Sequence, residues 1–143
     1  MPRPVDPYRS FNFHVEIDGI TQAGFTECTG FSASVDPADY REGKDGPAIR
    51  KLPNLAKYSN LTLKWGLTDS RDLFDWFVDV TIGKISRRNG SIIVYDLDGM
   101  TEKVRWNFFD AWPTKWDGPD FNATGTAVAI DTLEIAYERL RRE

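Results

Sequence analysis

Thiols, imidazoles and thioethers are scarce in this chain: its 143 residues include one cysteine, one histidine and two methionines. The lone Cys28 excludes an intramolecular disulfide and a cysteine-based metal cluster, reads as a buried thiol, and fits synthesis in a reducing cytoplasm. His14 has no second ligand type near it in sequence, so it reads as a surface residue on the polar side of a strand rather than a metal ligand or general base. Long apolar runs are missing as well. None approaches the ~20 residues of a membrane-spanning helix. The start of the chain carries Pro2, Pro4 and Pro7 but no apolar signal-peptide core, and residues 1–9 read as an extended arm. Basic residues are not in excess: 18 Lys and Arg face 22 Asp and Glu, a net charge of −4. That balance argues against general nucleic-acid binding.

What is present is enough for a core. Hydrophobic residues make up 41% of the chain and aromatics 13%, which excludes a disordered chain. One domain spanning 1–143 is expected, and a chain of this size buries about two-thirds of the surface its unfolded form exposes.

Phe11 to Ile17 alternates strictly, with Phe11, Phe13, Val15 and Ile17 on one side and Asn12, His14, Glu16 and Asp18 on the other. That period marks a half-buried strand, and Asp18-Gly19 is a hairpin signal. A second strand is expected from Ile20 to about Thr29, bent near Gly24 and Gly30. Phe31 to Glu42 is polar for a strand, and Pro37 restricts it to an edge or a bulge; such a strand suits the wall of an aqueous channel. Leu61, Leu63, Trp65 and Leu67 form one face of a further strand. From Asp69 to Ile82 the period becomes 3.6, with Leu73, Phe74, Phe77, Val78 and Val80 on one side and Asp72, Asp75 and Asp79 on the other. Thr68 or Asp69 is expected to cap this helix and Gly83 to end it. Asn89-Gly90 reads as a turn, Ser91 to Leu97 as a strand buried on both faces, and Asp98-Gly99 as another hairpin. Lys103 to Ala111 alternates with Val104, Trp106 and Phe108 inward. Trp112 to Pro119 reads as a loop. The last strand runs from about Ala127 to Tyr137, and Arg139, Arg141 and Arg142 then end in solvent. The fold class is mainly β: a small antiparallel β-barrel or sandwich with one α-helix and a long extended loop.

The stretch from Tyr40 to Leu67 organises the rest. It is expected to hold a loop over residues 43–58, longer than ordinary connections. Residues 41–64 contain six bases and two acids, a net +4, so the remainder of the chain carries −8. Leu52, Leu55 and Tyr58 are apolar residues that a solvated loop does not need, and Pro47 and Pro53 stiffen it. A basic arm on an acidic body points to a part that docks onto another copy.

Chemistry-bearing patterns are weak by comparison. Asp96 with Asp98, and Asp117 with Asp120, are spaced for carboxylate catalysis or a hard cation, but turn chemistry explains them more simply. Asp96-Leu97-Asp98-Gly99 lacks the remaining ligand positions of a calcium loop. Gly43, Gly46 and Gly90 do not form a phosphate loop. No catalytic residue, metal ligand or cofactor is expected.

Several blocks together resemble one family. Tyr40-Arg41-Glu42-Gly43, Arg50-Lys51-Leu52-Pro53, Lys57-Tyr58, Leu61-Thr62-Leu63-Lys64 and Gly66 resemble the central motif of tail-tube proteins of contractile-tailed phages and contractile injection systems. The likeness continues through Thr68 to Leu73, Trp106 to Pro119 and Ala127 to Glu138, nearly the whole chain in order. Two positions depart: Asn54 stands where the family usually has Gly, and since Asn tolerates a left-handed backbone the turn there can survive; Trp65 stands where a basic residue is common before Gly66, a change that bears on a surface contact. The resemblance implies a phage tail-tube or type VI secretion tube-like fold, non-enzymatic, made in the bacterial cytoplasm and assembled into an injection particle or virion tail without membrane insertion. It implies hexameric rings stacked into a hollow tube, with a contractile sheath, a baseplate or tube initiator, a tube terminator and a protein or DNA cargo as partners. Arg41, Arg50, Lys51, Leu52, Pro53, Asn54, Leu55, Lys57 and Tyr58 are then the subunit interface. Thr26, Ser32, Ser34, Lys103, Arg105 and Asn107, on hairpins 20–42 and 91–111, line the lumen, and Asp72, Asp75 and Asp79 face the sheath. The alternatives are a tube initiator or baseplate adaptor of the same fold and, more distantly, a monomeric ligand-binding β-barrel or small hydrolase.

Overall fold

The computed structural model describes residues 12–20, 24–40 and 50–143. The expectations for residues 1–9 and for Arg41, and the part of the 43–58 loop before Arg50, lie outside the described residues. The elements run β1 (Phe13–Ile17), β2 (Phe25–Thr29), β3 (Ser32–Tyr40), β4 (Arg50–Ser59), β5 (Leu61–Gly66), α1 (Asp72–Thr81), β6 (Arg88–Tyr95), β7 (Glu102–Asp117), β8 (Ile130–Ala136) and β9 (Arg139–Arg142). All pairings between them are antiparallel.

Strand β7 holds the body together. Its first half lies between β6 and β9, and its second half pairs with β8. Strands β8 and β9 are consecutive in the chain and follow β7 along its length, joined at the bend by the Glu138 N–H donating to the Phe109 carbonyl at 3.0 Å. At the same bend Asp110 has φ 56° and donates its N–H to Asn89 Oδ1 at 3.0 Å. The strand order β1-β6-β7-β8-β5-β2, with β9 also on β7, thus folds one sheet over a single core. Val15, Ile17, Ile92 and Phe108 come from one half, and Leu61, Leu63, Trp65, Leu133 and Ile135 from the other. Strict alternation of buried and half-buried residues in β5 and β8 is the period-two signature of strands packed on one face. The architecture is the sandwich of the expectation rather than a closed barrel: among the described residues no ladder joins β1 to β2.

Helix α1 covers this core with Leu73 and Trp76, which are 1% and 2% exposed. The period placed Phe74, Phe77, Val78 and Val80 inward and omitted Trp76, yet those four are only half-buried. Trp76 goes in because its indole N–H finds the Ser86 carbonyl at 2.7 Å, satisfying the polar end of a buried ring. The cap position is held by Arg71, without a side-chain cap, rather than by Thr68 or Asp69. Gly83 ends the helix as expected, at φ 84° with its N–H on the Val80 carbonyl at 3.0 Å.

Other expectations change for identifiable reasons. Residues 50–58 are strand, not loop, because they find a partner in β3. Segment 20–42 is not a hairpin: β2 pairs with β5, and β3 pairs with β4. Trp112 to Asp117 continues β7 through a register shift between Pro113 and Lys115, where a missing N–H is tolerated. Arg139 to Arg142 form β9 instead of trailing in solvent, with the Arg139 guanidinium 4.7 Å from the Phe109 ring centre. Trp65 makes no surface contact; it is 3% exposed and meets Phe25 edge-on at 5.9 Å. Asn89-Gly90 lies inside β6. A Cβ at Gly90 would sit 2.2 Å from Phe108 Cζ and 2.6 Å from the Glu16 carbonyl oxygen, so glycine is there for close packing and not for a turn. Gly90→Ala is therefore expected to destabilise the fold by about 1–3 kcal/mol through overpacking, measured by urea denaturation; an unchanged midpoint would contradict this packing.

Candidate assembly interface

Strands β3 and β4 stand outside the folded sheet as a separate two-stranded ribbon. The ribbon is nonetheless a direct continuation of the β2–β5 pair. Thr29 faces Thr62, and Ser32 faces Ser59, so each strand advances three residues and the register is kept across the break. Gly30 makes the bend. Its φ is +87°, and a Cβ there would sit 2.8 Å from the Asn60 carbonyl oxygen. At its base the ribbon is tied to the body by Tyr58, whose ring lies 5.7 Å from that of Tyr137, and by Phe31 beside Trp106 at 5.6 Å. Beyond that base, nearly every residue of both strands is exposed.

Cross-strand partners share a face, so the register sorts the ribbon's two sides. Nearest the base, one side carries Ala33, Val35, Pro37, Pro53, Ala56 and Tyr58 and the other Ser32, Ser34, Lys57 and Ser59; farther out, Asp39 and Lys51 fall on the first side and Ala38, Leu52, Tyr40 and Arg50 on the second. A bulge between Val35 and Pro37 sets Asn54 and Leu55 opposite Asp36, and Leu55 is 86% exposed. Asn54 does not adopt the left-handed backbone expected for a Gly replacement, because it sits in this bulged strand. Lys51 pairs with Asp39, and Lys57 with Asp36 at 3.0 Å. The basic character expected of this arm is thereby largely neutralised along the described ribbon, since β3 supplies two carboxylates that a reading of residues 41–64 alone omits. Such exposed pairs contribute little to stability; they hold the ribbon's register.

The described residues of the predicted interface, from Arg50 to Tyr58, are thus brought together on one element. The predicted lumen residues are not. Lys103, Arg105 and Asn107 project from the outward face of β7 beside β6 and β9. There Arg105 is held by Glu102 at 2.6 Å and faces Glu16 at 3.8 Å, while Asn107 accepts from Ser91 at 2.6 Å and donates to Glu143 at 2.9 Å. Thr26 lies on β2, donating to the Lys64 carbonyl at 3.2 Å, and Ser32 and Ser34 lie on the ribbon. Asp72 and Asp75 are exposed on the first turn of α1, where Asp75 meets Arg71 at 3.5 Å; Asp79 is half-buried. The apolar side of the ribbon is what reading from the sequence missed, although the alternation of Ala33, Val35 and Pro37 with Ser32, Ser34 and Asp36 carried the signal.

Among the groups with shifted affinities for protons, Cys28, Asp98 and Asp131 bear on stability and reactivity. Burial pushes the Cys28 thiol up to about 12, so it is inert at neutral pH. Asp98 is held down at about 2, first by the backbone N–H of Thr101, then by that of Met100 and the Thr101 hydroxyl. Asp131, 7% exposed on β8 with Oδ1 unpartnered, is pushed up by burial. The signs of the two carboxylates oppose each other. Asp98 adds stability that is full above its unfolded value of 3.8 and is lost as the pH falls toward 2. Asp131 prefers its proton in the fold, so its ionisation costs stability as the pH rises above 3.8. Asp98→Asn is expected to flatten the decline of Tm between pH 4 and 2, and Asp131→Asn to raise Tm at pH 7 but not at pH 3, both read by calorimetry. The reverse signs would contradict these environments.

A family model described as T4-like virus tail tube protein gp19 matches residues 9–141. The chain belongs to that tail tube family. Solved structures agree in fold. A chain in the cryo-EM structure of the sheath–tube complex of an extracellular contractile injection system, PVC, in the extended state is 24% identical, with 96% of this chain and 91% of that chain covered and a TM-score of 0.84. A chain in the anti-feeding prophage tube-terminating cap is 21% identical over 100% of this chain and 95% of that chain, at a TM-score of 0.86. Hcp1 from Flavobacterium johnsoniae is 15% identical over 91% and 93%, at a TM-score of 0.56. No curated protein sequence matches the chain. The tail tube fold therefore extends across the whole body, ribbon included.

Proposed function

We propose that this tail tube protein is the repeating inner-tube subunit of a contractile injection particle or phage tail. Six copies form a ring, and rings stack into a conduit. The carrying observation is the β3–β4 ribbon: two paired strands, nearly all exposed, with an apolar side from Ala33 to Pro37 and from Pro53 to Tyr58. A lone two-stranded ribbon is marginal in water, and an identical neighbour would cover its apolar side. One contact between different surfaces, repeated by rotation, closes a ring. The unpaired outer borders of β1 and β2 would be sealed in the same assembly.

The role is passive. The subunit supplies stiffness and a wetted bore for protein or DNA cargo, carries out no bond-making chemistry, and inserts into no membrane; no helix among the described residues is long and apolar enough to cross one. Asp72 and Asp75 face an enclosing sheath, and a baseplate or initiator and a terminator meet the tube's ends. Residues 1–9 and the 43–58 segment of the single domain reach neighbouring copies. Synthesis is in the bacterial cytoplasm, before assembly. A second reading, an initiator or adaptor at the end of the tube, is supported by the occurrence of the same fold in structures titled as a baseplate and a terminating cap.

Reversing charge at Lys51 and Lys57 would break pairs within the ribbon, so apolar positions test docking more cleanly. Val35→Asp with Leu55→Asp alters residues that are 49% and 86% exposed. The variant is expected to keep the monomer's stability within about 1 kcal/mol, yet to form no rings or tubes by negative-stain imaging and light scattering. Assembly at the wild-type level would overturn the docking role, and wild-type protein that stops at single rings would favour the end adaptor.

A further inference from the structure

Two features at opposite ends of β7 match each other. At its start, the β6–β7 turn from Asp96 to Thr101 is tightly bound within itself. Asp98 Oδ1 accepts the N–H groups of Met100 and Thr101 at 2.8 and 3.0 Å, and its Oδ2 accepts the Thr101 hydroxyl at 2.8 Å. Asp96 Oδ1 accepts the Leu97 N–H at 2.8 Å, and the Asp96 N–H and Thr101 carbonyl close the loop at 2.9 Å. This rigid turn presents Leu97 and Met100, which are 73% and 84% exposed. Turn chemistry asks for the aspartates and Gly99 but not for two large apolar side chains beside them. At the far end of β7 lies a cleft of about 300 Å³ lined by Leu67, Phe74, Trp116, Pro119 and Phe121. Phe121 is itself 78% exposed, and Arg71, its side chain 75% exposed, also lines the cleft.

We propose that the Asp96–Thr101 turn of one copy seats Leu97 and Met100 in the Leu67–Phe121 cleft of a second copy, making the axial contact between rings. This rests on the tube reading above and names the surfaces that would stack. Three arguments select a second copy as occupant. The turn carries two carboxylates, of which Asp96 also meets Lys103 at 3.8 Å, and the cleft carries the exposed Arg71 guanidinium, paired with Asp75 at 3.5 Å, together with the buried Asp131. The turn is already ordered by its own hydrogen bonds, so docking costs little further ordering. The two surfaces differ, so their contact repeats head to tail, and with the ribbon assigned to closing the ring this second contact is the one left to stack rings.

The test uses full-length protein. L97S with M100S replaces two exposed side chains, so circular dichroism and Tm should match wild type. Rings should still form, while the fraction stacked into tubes in electron micrographs should fall at least tenfold. Tubes of wild-type length, or loss of the rings themselves, would overturn the axial assignment. As a second measurement, a Met100→Cys copy is mixed with a differently tagged Phe121→Cys copy and oxidised, with the half-buried Cys28 replaced by Ser in both. A disulfide-linked pair of unlike copies is expected. Tubes without that product would overturn the cleft assignment and leave the tube reading standing. If wild-type protein forms neither rings nor tubes, the tube reading fails and this contact fails with it.

Discussion

A hairpin that outruns its own core is the constraint on which the rest depends. Strands β2 and β5 are anchored, because Cys28, Leu63 and Phe25 reach the core that Leu133 and Ile135 complete. The same two strands then continue, in register, past Gly30 and Asn60, where nearly all their residues are exposed among the described residues. Ladder hydrogen bonds, the Lys51–Asp39 and Lys57–Asp36 ion pairs, the Ser32–Ser59 hydroxyl contact and the rings of Tyr58 and Phe31 at the base keep the extension straight. An isolated ribbon of this kind has little stability of its own. The proposed docking of a neighbouring copy would complete it from outside.

The body is arranged to leave room for this. Strand β7 serves both halves of the sheet by bending at Asp110, so one 16-residue strand replaces the second sheet edge that two shorter strands would create. Helix α1 closes the core with Leu73 and Trp76 while its acidic first turn stays in solvent. Among the described residues, the outer borders of β1 and β2 pair with no further strand, and the ribbon stands apart. In the proposed tube, neighbouring copies would cover these edges.

Much of this was legible in the residues. The strict alternation of Phe13 to Ile17 and Leu61 to Trp65, the 3.6 period after Asp69 and the glycine at position 83 all correspond to elements found. The failures share a physical cause: local signals were overridden by long-range partners. Asn89-Gly90 resembles a turn, but Phe108 needs the space above Gly90. Pro113 resembles a loop residue, but a register shift accommodates it inside β7. The Arg-rich end resembles a solvated tail, but Phe109 and Trp106 offer faces for Arg139 and Arg142. The arm's charge was misjudged because Asp36 and Asp39, distant in sequence, lie across the ribbon from Lys57 and Lys51. Pairing between strands is invisible to any window short enough to show periodicity.

Hydrogen–deuterium exchange tests the central claim most directly, by comparing the backbone amides of β3 and β4 in the isolated subunit with those in the assembled particle. The account predicts fast exchange along both strands in the monomer and strong protection after assembly, while the core strands β5 and β8 stay protected throughout. Equal protection of the ribbon in both states would mean that the lone subunit already completes it, and would contradict the account.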